Sequence, residues 1–299
     1  MEVCKIRTGN AVRVFDLIGG HYMTPDIDEP PYDISKKQFT FSFDGQMPPK
    51  IGSMVNGVLY SALVALAGDE TQHNPVTVRM AQMQAWFGVS DNELDIKYFR
   101  RQLRLAASVL CTVHFEYDTV KMKFFTAIDV RRTKVVFDFD AKFLQYYLAP
   151  YRFKSTNRAF CRWFPLMLLP LSRQDSLAFY LGNYISNHAL MHATVKNKKR
   201  CRKSSRDNSD KLSVASLLGC SNDLKSYADD TAHWRRGLQR PLMNALDHLK
   251  ACGLLSSWEF TRNGVLVSNA EALNLDYKRF TALVIRFRLN LSEEDADDG

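Results

Sequence analysis

The chain has 299 residues, 46% hydrophobic and 12% aromatic, a balance that supports buried cores in two domains and excludes a disordered chain. Lys and Arg outnumber Asp and Glu by 40 to 32, for a formal net charge of +8, and five of the carboxylates crowd into Glu293–Asp298, which leaves the body ahead of them more basic still. Such a body points to a polyanion, most simply nucleic acid, while six cysteines without a CxxC pair argue against a zinc site or a disulfide framework.

Residues 1–50 are expected to form an arm lying on the first domain. Val12–Gly20 predicts a short strand, and Phe39, Phe41 and Phe43 alternate with polar residues as a half-buried strand does. The N-terminus has no apolar core of signal-peptide length, and no run approaches transmembrane length, so a cytoplasmic location is expected.

The first domain is expected over 51–150. Val55, Val58, Leu59, Leu63 and Leu66 give a helical stripe that stops at Gly68, and a second helix is expected from Val78 to Phe87, stopped at Gly88. Ser90, Asp91 and Asn92 offer N-caps to a third helix. Its apolar face is Ile96, Phe99, Leu103, Ala106, Ala107 and Leu110; Lys97, Arg100, Arg101 and Arg104 occupy the other. Strands follow at Val113–Tyr117, Lys121–Asp129 and Lys134–Phe139, the last two joined by a basic turn at Arg131-Arg132, and then a short helix, Ala141–Leu148.

Residues 151–165 read as a basic, aromatic connector and 166–291 as the second domain. A helix is expected from Ser172 to about Met191. Then comes an exposed loop in which Lys196, Lys198, Lys199, Arg200, Arg202, Lys203 and Arg206 make seven bases among eleven residues. Lys211–Leu218 predicts a short helix ending at Gly219. After a polar insert, Leu238, Leu242, Ala245, Leu246 and Leu249 form one face of a long helix, with Arg236 and Arg240 opposite and Asn244 beside them. Gly253 and a strand through Trp258-Glu259-Phe260 would begin a wing. Gly264–Ser268, a polar break and a strand in the second half of Phe280–Leu289 lead to the acidic tail, 292–299.

This layout occurs twice. At an offset of 139, Lys97 falls on Arg236, Phe99 on Leu238, Arg101 on Arg240, Leu103 on Leu242, Ala106 on Ala245 and Leu110 on Leu249. Upstream, Trp86-Phe87-Gly88 corresponds to Leu217-Leu218-Gly219; downstream, Phe115-Glu116-Tyr117 corresponds to Trp258-Glu259-Phe260. The expected fold is therefore α+β and helix-rich, with two tandem winged-helix domains, each a helix-turn-helix with a β-wing.

The runs LSVASLLG and WRRGLQRPLMNALDHLKACGLLSSW, with FLQYYLAPYRFKSTNRAF followed by LSRQDSLAFYLGNYIS at the junction, resemble the iteron-binding class of plasmid replication initiators. The resemblance covers about residues 51–290. It implies that the second winged helix enters the major groove of directly repeated origin sites, and that the first serves a homodimer in one form and DNA contact in the other. It also implies recruitment of host helicase and other replication proteins. The arm, the acidic tail and Pro241 depart from the family pattern. Pro241 either bends the recognition helix or sets its start near Arg240, and the role of Arg236 depends on which.

Arginine suits guanine and asparagine suits adenine in the major groove, so Arg235, Arg236, Gln239, Arg240 and Asn244 are the expected base-reading set, although a solvated charged face also fits them. The 196–206 loop suits phosphate contact, and Lys97, Arg100, Arg101, Arg104, Arg131 and Arg132 suit backbone or dimer contact. No GxxxxGKS/T loop is present, and His188 and His192 lack the Glu of HExxH, so no enzymatic activity, metal or other cofactor is expected. A two-winged transcriptional regulator is the alternative reading. A metal-dependent nuclease or relaxase, resting on Asp138 and Asp140, is a remote one.

Overall fold

The computed structural model describes residues 3–8, 40–43, 52–68, 73–117, 120–148, 160–194, 210–218 and 233–290. The Val12–Gly20 strand, the 196–206 loop, most of the connector and the acidic tail lie outside these residues. What is described mixes helices with small antiparallel sheets. The chain forms two compact units, one comprising Cys4–Arg162 with Leu169–Ser176, the other Trp163–Leu168 and Leu177–Gly299 with Met1–Val3. No helix among the described residues is long and apolar enough to cross a membrane.

The strands β1 (Val3–Thr8) and β2 (Thr40–Phe43) come first. In the N-terminal unit, helix α1 (Ser53–Gly68) is buried along most of its length. The next segment corrects the sequence expectation. Val76–Arg79 is a strand, β3, with Val76 and Val78 buried and Thr77 and Arg79 exposed, and helix α2 spans only Met80–Trp86. A Val-Thr-Val run fits a pleated ladder better than a helix, and β3 pairs Val78 with Val135 on β7.

Gly88, at φ 59°, takes the left-handed conformation that ends α2. Helix α3 (Glu93–Thr112) then starts at Asn92, whose side chain accepts from the Leu94 amide at 2.9 Å. Phe99, Leu103, Ala106, Ala107 and Leu110 are buried, and each large side chain among them contributes about 1.5–3 kcal/mol of burial. The expected single strand Lys121–Asp129 is instead bent at the buried Phe124. It becomes β5 (Val120–Lys123), paired with β4 (Val113–Tyr117), and β6 (Phe125–Val130), paired with β7 (Lys134–Phe139). The resulting sheets are ordered β2-β4-β5 and β3-β7-β6. Helix α4 (Ala141–Leu148) follows.

After β8 (Phe160–Pro165), the expected Ser172–Met191 helix is two helices: α5 (Leu168–Gln174), which carries Pro170 in its first turn, and α6 (Ser176–Thr194). Arg173 of α5 belongs to the N-terminal unit. Its Nη2 donates to Asp95 Oδ1 at 2.7 Å, and its guanidinium lies 5.3 Å from the centre of the Phe99 ring.

In the C-terminal unit Lys211–Ser213 is a strand, β9, not the start of a helix. Helix α7 (Val214–Leu217) is capped by Ser213, whose Oγ accepts from the Ser216 amide at 3.0 Å. A π-helical turn, Arg235–Gln239, runs into helix α8 (Arg240–Ala251). Then come β10 (Leu255–Arg262), β11 (Val265–Val267), the short helices α9 (Asn269–Asn274) and α10 (Tyr277–Thr281), and β12 (Val284–Leu289). These two helices fill what reads in sequence as a polar break, and Ser268 and Glu271 form a full capping box on the first. The sheet order is β11-β10-β12-β9.

A β-carbon on Gly182 of α6 would lie 2.6 Å from Leu168 Cδ2 and 2.7 Å from Leu249 Cδ2, so the absence of a side chain lets α6 and α8 approach. Cys111 and Cys252 are half-buried, and burial pushes both thiols up.

Among the described residues both units share an order: helix, strand, short helix, long helix, then antiparallel strands, which in the C-terminal unit are interrupted by α9 and α10. In each, the strand before the short helix pairs with the last strand of the sheet, β3 with β7 and β9 with β12. The sequence match of Phe115-Glu116-Tyr117 with Trp258-Glu259-Phe260 sets β4 against β10. In the sheets, however, the place of β10 beside the last strand is filled by β6, and β4–β5 belongs to a separate sheet with β2.

Candidate nucleic-acid interface

In the C-terminal unit the site is the outward face of the π turn and α8. A proline in a helix lacks the amide for the bond to residue i−4, and its ring crowds that residue's carbonyl. Here the strain is relieved by widening the turn ahead of it. The Arg240 amide donates to the Arg235 carbonyl, a five-residue step, and Pro241 sits at the first positions of α8. The helical path is therefore continuous through Pro241, and α8 begins at Arg240. Arg236, Arg240 and Asn244 recur every four residues and all are exposed, while Leu238, Leu242, Ala245, Leu246 and Leu249 are buried behind them.

Two further residues belong to this face, and a third does not. Arg235 is exposed, its guanidinium 5.6 Å from the centre of the Trp234 ring; that ring is itself buried against Tyr277 and Phe280. Asp247 accepts a hydrogen bond from Trp258 Nε1 at 3.0 Å, which ties α8 to β10. Gln239 is a correction. It is 1% exposed, and its Nε2 donates to the Ala272 carbonyl at 2.8 Å, so it fastens the π turn to α9 instead of facing outward. Its position beside Leu238 on the inner side of the turn decides this.

Beyond α8, Asn263 and Gly264 have φ of 51° and 81° and close the β10–β11 hairpin, the geometry an Asn-Gly pair favours. Arg262 precedes the turn and is exposed; Val265 and Leu266 follow it at 69% and 61% exposure. Glu271 near this hairpin is held below the usual carboxylate range by the Ser268 amide and then by its hydroxyl.

In the N-terminal unit the bases of α3 do not act as one set. Lys97, Arg101 and Arg104 are exposed. Arg100 is half-buried and donates to the Arg132 carbonyl at 3.5 Å, which links α3 to the β6–β7 turn. Arg131 is paired with Asp129, and Arg132 is exposed beside it at the tip of that turn. An open cleft of about 370 Å³ lies near β4 and β5, lined by His114, Lys121, Lys123, Thr126, Asp140 and Lys142 among others. Asp140 is occupied within it, accepting from the amides of Lys142 and Phe143 at 2.9 and 3.0 Å.

Asp95 is held below the usual carboxylate range, first by the Ser90 amide and then by Arg173. Together these contacts fix the start of α3. Sequence reading misses one feature of this helix: Leu94, Tyr98 and Leu105 stand 75%, 57% and 60% exposed, on the same side as Arg101. The signal is there, since all three fall out of phase with an apolar stripe that is complete without them. The seven bases of the 196–206 loop lie outside the described residues.

Comparison with known protein families finds no family model that matches the chain, and comparison with curated proteins finds no match.

Proposed function

We propose that this protein is a sequence-specific duplex-DNA-binding protein built from two winged-helix units, with the π turn and α8 of the C-terminal unit as its reading helix. The observation that carries the reading is the exposed run Arg236, Arg240, Asn244 on a helix whose opposite face is buried and, apart from Gln239, apolar. Two guanidiniums and a carboxamide at successive turns are the donors that guanine and adenine edges accept in the major groove. The β10–β11 hairpin, with Arg262 at its turn, suits contact with the adjoining backbone or minor groove. The net charge of +8 supplies the long-range attraction to phosphate.

The resemblance to plasmid replication initiators supports placing this activity at directly repeated sites of an origin, where binding would distort the duplex and bring in host replication proteins. Nuclease footprinting of the purified full chain on DNA flanking its own coding sequence tests the proposal. Protection of several evenly spaced direct repeats is expected. A single protected inverted repeat would replace the initiator with a transcriptional regulator, and no protection at any sequence would overturn specific DNA recognition.

A further inference from the structure

The long helices of the two units agree in phase and differ in chemistry. At the offset of 139, buried Phe99, Leu103, Ala106 and Leu110 fall on buried Leu238, Leu242, Ala245 and Leu249, and exposed Arg101 falls on exposed Arg240. The other outward positions part company. Leu105 stands where the C-terminal helix has Asn244, and Tyr98 where it has Gly237. No large apolar side chain is exposed on α8 among the described residues, whereas α3 exposes Leu94, Tyr98 and Leu105.

With 3.6 residues per turn these three lie within about 40° of one another around the axis, and Leu94 to Leu105 spans about 16 Å along it. They form one stripe, with Lys97, Arg101 and Arg104 running along one flank. Against a duplex, such a stripe would meet base edges of which only the thymine methyl is apolar. Against a second copy packed antiparallel about a two-fold axis, the flank would bring arginine towards arginine. A single convex helix face offers no sheet edge for strand addition; it offers ridges into which another helix packs.

We infer that the outward face of α3 docks an acidic amphipathic helix of a protein partner. Apolar side chains of that helix, spaced at successive turns, would cover Leu94, Tyr98 and Leu105, and its carboxylates would meet Lys97, Arg101 and Arg104. The N-terminal unit then serves protein contact through the helix that corresponds to the DNA-reading helix of the C-terminal unit. This inference stands apart from the DNA reading, because its residues lie in the other unit and changes to them leave Arg240 untouched.

The test uses the full chain and a fluorescently labelled designed peptide, helical, with leucines along one stripe and glutamates along one flank. Fluorescence anisotropy is expected to show saturable binding, weakened about tenfold or more by Leu94→Ser with Leu105→Ser, and likewise by Arg101→Glu, while the duplex affinity of the serine variant stays unchanged in the same preparation. The serine changes fall on exposed positions and leave the core as it is. Four results would each overturn the inference. They are no peptide binding, equal binding of a scrambled peptide of the same composition, reduced duplex affinity in the leucine variant, and a change in sedimentation of the chain alone that marks the face as a self-contact.

Discussion

Helix α3 of the N-terminal unit and the π turn with α8 of the C-terminal unit bury matched positions, yet their outward faces carry different side chains. Packing explains the agreement: Phe99, Leu103 and Leu110 on one, Leu238, Leu242 and Leu249 on the other, each has to fill a core at crystal-like density. Nothing in the core constrains the outward positions, and there one helix carries Asn244 where the other carries Leu105. A repeated buried frame therefore does not imply a repeated surface. The bases alone mislead, because Arg101 and Arg240 occupy the same phase and differ only in what surrounds them.

The largest expected effect separates the two helices directly. Arg236→Ala and Arg240→Ala are each expected to remove about 1–3 kcal/mol of discrimination between specific and random duplex, measured by competition titration. Lys97→Ala and Arg101→Ala should leave that discrimination intact, and equal losses from both pairs would erase the distinction. Gly182→Val is next, with an expected cost of about 1–3 kcal/mol of stability from overpacking Leu168 and Leu249. A denaturant midpoint unchanged by Gly182→Val would mean that α6 and α8 are not held this close.

A smaller effect is expected from neutralising the bases of 196–206. Affinity for all sequences should fall alike, with the slope of log affinity against log salt reduced by about 0.9 for each phosphate that no longer meets a cationic side chain. An unchanged slope would remove the loop from the phosphates.

The smallest concerns Asp95. Its folded-state pKa is depressed, so the stability it contributes is present above the ordinary carboxylate range and is lost as pH falls through the folded value. The denaturant midpoints of the parent chain and Asp95→Asn should differ at neutral pH and converge in acid. A gap that persists in acid would place the role of Asp95 in packing and not in its charge.

Much of this frame is legible in the chain, and for identifiable reasons. The stripes of α3 and α8 emerge from periodicity because one face of each is wholly apolar, and Arg131-Arg132 marks a turn because two strands alternate on either side. The misreadings arise where local pattern and tertiary pairing disagree. Val76–Arg79 is too short to show its period alone and becomes a strand because β7 lies beside it. Lys211–Ser213 does the same beside β12. The polar stretch holding α9 and α10 carries its own signal in Ser268 and Glu271, a capping box with no long apolar run behind it. Pro241 is compatible with two forms of the helix, and the π turn that joins them follows from packing Leu238 and Gln239 inward. Gln239 resembles a base-reading residue through its neighbours' chemistry, although its phase lies with the core.

The most direct test of this division of labour is photo-crosslinking from two matched positions, with a benzophenone amino acid introduced in place of Asn244 or of Leu105 in the full chain bound to its footprinted DNA. Crosslinks from position 244 to bases within each protected site, and none to DNA from position 105, are the expected result. DNA crosslinks from 105 as strong as those from 244, or none from 244, would contradict the account.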